Sequence, residues 1–150
     1  MYASQIWSPS TAVDQKKLEK VQHSFIRALS FKIKEPMSYL NHDYSELASR
    51  FEIPSLVSLR SYYDLVFLFK VLNGLVDSPQ ILSSFNFRVP GRLLRNSGVT
   101  FAIPHSHCFV REKSVVLRLS HLANEFGDID FFVPFYVFKK EVKNNVLSYD

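Results

Sequence analysis

The sequence predicts a small, mainly α domain with an irregular or short-stranded segment around residues 85–107. Three observations carry that expectation. Apolar residues recur at three- and four-residue steps over several stretches, the mark of helical faces. Ser, Thr or Asp stands ahead of those stretches, where helix caps belong. Phe85-Asn86-Phe87-Arg88-Val89 instead alternates apolar and polar, the period of an extended, half-buried segment.

The elements follow in order. Tyr2–Ser8 is apolar and aromatic and reads as the tail of an element whose beginning is missing; Pro9 ends it. Thr11 with Asp14 three residues on is a capping-box variant, and Leu18, Val21, Phe25 and Leu29 then mark one face of a helix over 12–30. Lys16, Lys17, Lys20, His23 and Arg27 fall mostly elsewhere on it. Glu35-Pro36 breaks the pattern, and Asp43 with Glu46 repeats the capping spacing before a short helix over 44–51. Pro54 fits the first turn of a helix running from Ser55 to Asn73, where its missing N–H costs little. That helix is apolar almost all round, so it is buried or lies against a second segment. Gly74 can close it in the left-handed conformation. Ser78-Pro79 opens a single turn through Leu82. After the irregular part, Val115, Leu119, Leu122 and Phe126 mark a helix over 113–126. Asp130 is expected to cap a last helix over 131–143, with Pro134 in its first turn and Lys139, Lys140 and Lys143 towards the negative end of its dipole.

The chain has 150 residues, the size of one domain, and at 47 % hydrophobic it carries enough apolar surface to offset the entropy of ordering. Its one cysteine, Cys108, excludes an internal disulfide framework and fits a reducing, intracellular compartment. The longest strongly apolar run, Leu65–Phe69, falls short of the roughly 20 residues of a membrane span. No secretory leader pattern is expected. The net charge of +4 permits a polyanionic partner without demanding one.

Catalytic patterns are scarce. No glycine spacing fits a phosphate loop, and there is no Gly-x-Ser-x-Gly elbow. Asp128-Ile129-Asp130 reads as a helix stop followed by a start rather than a magnesium site. His105, His107 and Cys108 lack the second ligand cluster of a structural zinc site. No metal, cofactor or small-molecule substrate is expected. Lys16, Lys17, Lys20 and Arg27 on the first helix, with Arg60, Arg92 and Arg95, are the candidate phosphate contacts, because Lys and Arg displace counterions from a nucleic-acid backbone.

Two mixed apolar and polar strings go beyond what helix packing asks for, and a third stands beside them. The first holds Tyr2, Ala3, Ser4, Trp7 and Pro9, then Leu18, Glu19, Val21, Gln22, Phe25 and Arg27. The second holds Leu59, Arg60, Asp64, Leu65, Phe69, Lys70, Leu72, Asn73 and Gly74; the third holds Arg118, Leu119, Asn124, Glu125, Asp130 and Phe131. Together they make the chain resemble the downstream part of reverse transcriptases of jockey-like non-LTR retrotransposons. Ser61 departs from the family's pattern by removing one positive charge, and Met1 stands where the family carries Leu-Glu or similar. The resemblance implies one truncated segment over 1–150, post-palm, covering the thumb and C-terminal region that grips a primer–template duplex. The upstream catalytic aspartates of the family have no counterpart here, so the segment is expected to be no enzyme on its own. Its implied partners are an RNA or DNA duplex and the upstream polymerase domains, with no membrane. Two other readings stay open: a small helical protein-interaction module using the aromatic face of residues 56–72, and a non-functional transposon remnant.

Overall fold

The computed structural model describes residues 8–9, 11–33, 44–89, 99–105, 108, 112–127 and 129–147. Six helices occur among them: α1 (Ala12–Ile33), α2 (Tyr44–Arg50), α3 (Leu56–Leu72), α4 (Pro79–Leu82), α5 (Val115–Glu125) and α6 (Phe135–Val146). The fold is mainly α. The short strands expected near 85–107 reduce, among the described residues, to one antiparallel bridge between Phe87 and Phe101.

α1 starts at the predicted cap. The Asp14 N–H donates to Thr11 Oγ1 at 3.2 Å, and the Thr11 hydroxyl donates to Asp14 Oδ2 at 2.7 Å. The helix continues past Ser30 to Ile33, since no Gly or Pro stands between Ser30 and Pro36. Its packing differs from expectation. The inward face is set one residue later than Leu18, Val21, Phe25 and Leu29, a rotation of roughly 100°. Ile26 and Ser30 are buried, and Leu18, Glu19, Gln22 and Leu29 are half-buried, so Leu18 and Leu29 of the expected face stay at its edge, while Val21 and Phe25 are 68 % and 59 % exposed. Specific partners make the polar positions fit. Gln22 Nε2 donates to the Pro54 carbonyl at 2.7 Å, and the His23 ring stacks on Tyr44 at 4.5 Å.

α3 is the central element; α5 and α6 pack along it, and α1 meets both α2 and α3. Ser55 caps α3 by accepting the Ser58 N–H at 3.0 Å, so Pro54 precedes the cap instead of entering the first turn. At the other end the N–H of Leu75 reaches the Lys70 carbonyl and that of Gly74 reaches Val71, with Gly74 at φ 67°. This closure needs a left-handed residue, which glycine supplies without a Cβ clash. The apolar girth of α3 is core: Tyr62, Leu65, Val66, Leu68, Phe69 and Val71 are all buried.

α5 is capped by Ser114. The last helix starts later than predicted, at Phe135, and runs to Val146. Proline pushes the residue before it out of helical conformation, so Pro134 becomes the cap position. Asp130 caps a turn upstream, accepting the Phe132 N–H at 2.8 Å, which aims Ile129 and Phe131 into the core.

A run of aromatic contacts joins the irregular segment to the helices. Phe101 meets Phe85, Phe87 and Phe131; Phe131 meets Phe138; and Phe138 meets Phe69 at 4.3 Å between centroids. Two asparagines fix its backbone. Asn124 Oδ1 accepts the N–H groups of Thr100 (3.1 Å) and Phe101 (2.9 Å), and its Nδ2 donates to the Phe101 carbonyl. Asn73 Nδ2 donates to the carbonyls of Phe69 and Phe131.

Candidate nucleic-acid interface

The packing of α1 decides which of its cations face solvent. Lys16, Lys17, Lys20 and Arg27 are all exposed. Lys16, Lys20 and Arg27 lie four and seven residues apart, which puts them on one stripe about 17 Å long. His23, half-buried against Tyr44, sits within that stripe and was not among the expected contacts. Lys17 stands one position round the helix, with Nζ 3.0 Å from Asp14 Oδ1. The Thr11 hydroxyl and Lys17 hold the Asp14 carboxyl below its ordinary pKa. Lys17 therefore serves the helix cap, and the free run of positive charge is Lys16–Lys20–Arg27. The exposed apolar side chains Val21 and Phe25 lie on another side of the helix, roughly 100° or more round from it.

Arg60 is placed elsewhere. Expected as a phosphate contact, it is 6 % exposed and belongs to a charged cluster in the interior. Asp64, four residues on and one turn away, is buried with it, and Arg118 of α5 donates from Nε to Asp64 Oδ2 at 3.1 Å. Arg60 Nη1 and Asp64 Oδ1 have no hydrogen-bond partner. Burial pushes the Asp64 carboxyl up in pKa, against the opposing pull of Arg118 and Arg60. A duplex cannot reach a guanidinium held this way. Composition marks Arg60 as a cation; only its place on the inward side of α3 shows that it is buried near Asp64. Arg92 and Arg95 lie outside the described residues.

Among the described residues no three His, Cys, Asp or Glu side chains gather as metal ligands, and His105 and Cys108 are both exposed. No helix among them is long and apolar enough to cross a membrane. Comparison with known protein families, with curated proteins and with solved structures returns no match.

Proposed function

We propose that this chain is the thumb and downstream segment of a non-LTR retrotransposon reverse transcriptase, and that it holds a nucleic-acid duplex by its backbone without catalysing synthesis. The observation that supports this reading is the exposed stripe of Lys16, Lys20 and Arg27 on α1. Three flexible cations on one helical face suit phosphate tracking, which positions a duplex without reading its bases. Several residues of the strings that carry the family resemblance also have structural roles. Asp64, Arg118, Asn73, Gly74 and Asn124 are the polar and special-conformation residues that lock the helices together.

Fluorescence anisotropy with a labelled duplex tests the reading. The parent should bind duplexes of unrelated sequence with similar affinity, and K16A/K20A/R27A should weaken all of them alike. Equal binding by parent and variant would contradict it. One observation favours a second reading, a protein-interaction module. Its surface would be Val21 and Phe25 on α1, because the aromatic face of residues 56–72 is core. Partner binding that survives high salt and is lost on V21S/F25S would support that alternative.

A further inference from the structure

α1 presents three faces. One is buried, around Ile26 and Ser30, and one carries Lys16, Lys20 and Arg27. The third runs through Asp14, Leu18, Val21, Phe25, Ala28 and Lys32, which recur at alternating steps of four and three residues. Its centre lies roughly 120–140° round from the other two. Leu18 is half-buried and the rest are exposed, Val21 by 68 % and Phe25 by 59 %. We propose that this third face pairs with the same face of a second copy of the chain, the two α1 helices running antiparallel. The pairing gives Val21 and Phe25 an occupant and does not depend on duplex binding.

The pattern is its own complement. Apolar residues at alternating threes and fours form the seam of two-helix coiled coils. A two-fold pair requires that every contact between two residues be made twice, once in each direction. In an antiparallel pair centred on residue 23, Val21 meets Phe25 of the second copy, Leu18 meets Ala28, and Asp14 meets Lys32. The large Leu18 thus faces the small Ala28, and opposite charges close both ends of the seam. The Asp14 carboxylate accepts from Thr11 and Lys17 yet stays 53 % exposed, and a carboxylate has lone pairs for further donors. A parallel pair would instead set Lys32 against Lys32 and Asp14 against Asp14, and facing like charges oppose association. Along one flank of the antiparallel pair Lys17 comes beside the exposed Phe31, and Ser24 beside its own counterpart; along the other, Gln15 comes beside Leu29. No like charges meet on either flank. The seam is about 27 Å long, which makes a small interface whose occupancy depends on concentration. It leaves the Lys16–Lys20–Arg27 stripe of each copy open.

Sedimentation equilibrium of the full chain, from micromolar to millimolar concentration, tests the pairing. The weight-average mass should climb from that of one chain towards that of two. V21S/F25S, which alters only exposed side chains, should keep the mass of one chain throughout, with the parent's circular dichroism spectrum. K32E turns two attractive contacts repulsive and should weaken association by about tenfold. K16A/K20A/R27A should associate like the parent, so failure of the duplex reading and failure of this one appear separately. Disulfides formed in a C108S background read the orientation. V21C and F25C variants, mixed in equal amounts and oxidised, should give chiefly the mixed disulfide, whereas a parallel pair joins like to like. A parent that keeps the mass of one chain, a V21S/F25S variant that associates as the parent does, or an excess of like disulfides would overturn the proposal. A chain that stays single while a different protein binds Val21 and Phe25 would assign the face to that protein and overturn it as well.

Discussion

Single side chains do structural work here that backbone does in other folds. Asn124 stands in for a neighbouring strand, satisfying two N–H groups and one carbonyl of the Phe101 segment. Buried backbone groups left unpaired cost free energy. Asn124→Ala should therefore cost about 3 kcal/mol in urea unfolding, and the amides of Thr100 and Phe101 should lose exchange protection. The Asp64–Arg118 pair makes a second prediction at this scale. Burial raises the folded pKa of Asp64 above its unfolded value. Its contribution is then fully present below the unfolded pKa and lost as pH rises through the folded one. The stability of the parent relative to Asp64→Asn should fall as pH rises across the acidic range; a difference that grows with pH would contradict the assignment. Removing Arg118 takes the hydrogen-bonded partner from a buried carboxylate, so Arg118→Met should destabilise by about 3 kcal/mol at neutral pH. The residues in these interactions could be picked out in the sequence, since Asn124, Asp64 and Arg118 all stand in the unusual strings. Their partners could not, because 54 residues separate Asp64 from Arg118 and nothing local pairs them.

At the scale of the element, caps and breakers in the sequence locate most helix ends, while the inward face of α1 needs the fold. Thr11 and Gly74 act where the sequence places them, whereas Ser55 and Ser114 are caps at positions the spacing puts inside the helices. Periodicity finds the apolar stripe of α1 correctly as a stripe. It carries no information about where α2 and α3 lie, and Gln22 bonded to Pro54 and His23 stacked on Tyr44 turn the helix by one position. Substitutions distinguish the two orientations. Ile26→Ala should cost about 2–4 kcal/mol, whereas V21S and F25S should each stay within about 0.5 kcal/mol. The reverse ranking would restore the face marked by Leu18, Val21, Phe25 and Leu29. The α1 cap also responds to acid. The contribution of Asp14, whose pKa is lowered by Thr11 and Lys17, is present above its unfolded pKa and lost as pH falls through the folded value. Amide protection in the first turn of α1 should drop there, and Thr11→Ala should lower it already at neutral pH.

In the whole molecule, the run of phenylalanines from Phe85 through Phe101, Phe131 and Phe138 to Phe69 ties the irregular segment to two helices, α3 and α6. Phe138→Ala in its middle should cost about 4 kcal/mol and weaken α3, α6 and the Phe101 bridge together. The mainly α class, the buried α3 and the irregular middle follow from composition and period. The charged cluster of Arg60, Asp64 and Arg118 does not, because composition cannot distinguish a buried cation from an exposed one. On the proposed reading, incubation with primed template, magnesium and nucleotides should give no extension above a blank. The central claim is phosphate tracking by Lys16, Lys20 and Arg27, and the salt dependence of duplex binding tests it most directly. Each phosphate neutralised contributes about −0.9 to the slope of log affinity against log salt, so the three cations should contribute on the order of −3. The parent should show at least that slope, and K16A/K20A/R27A should flatten it by about that amount. A variant that binds duplex as tightly as the parent, with the same slope, would contradict the account.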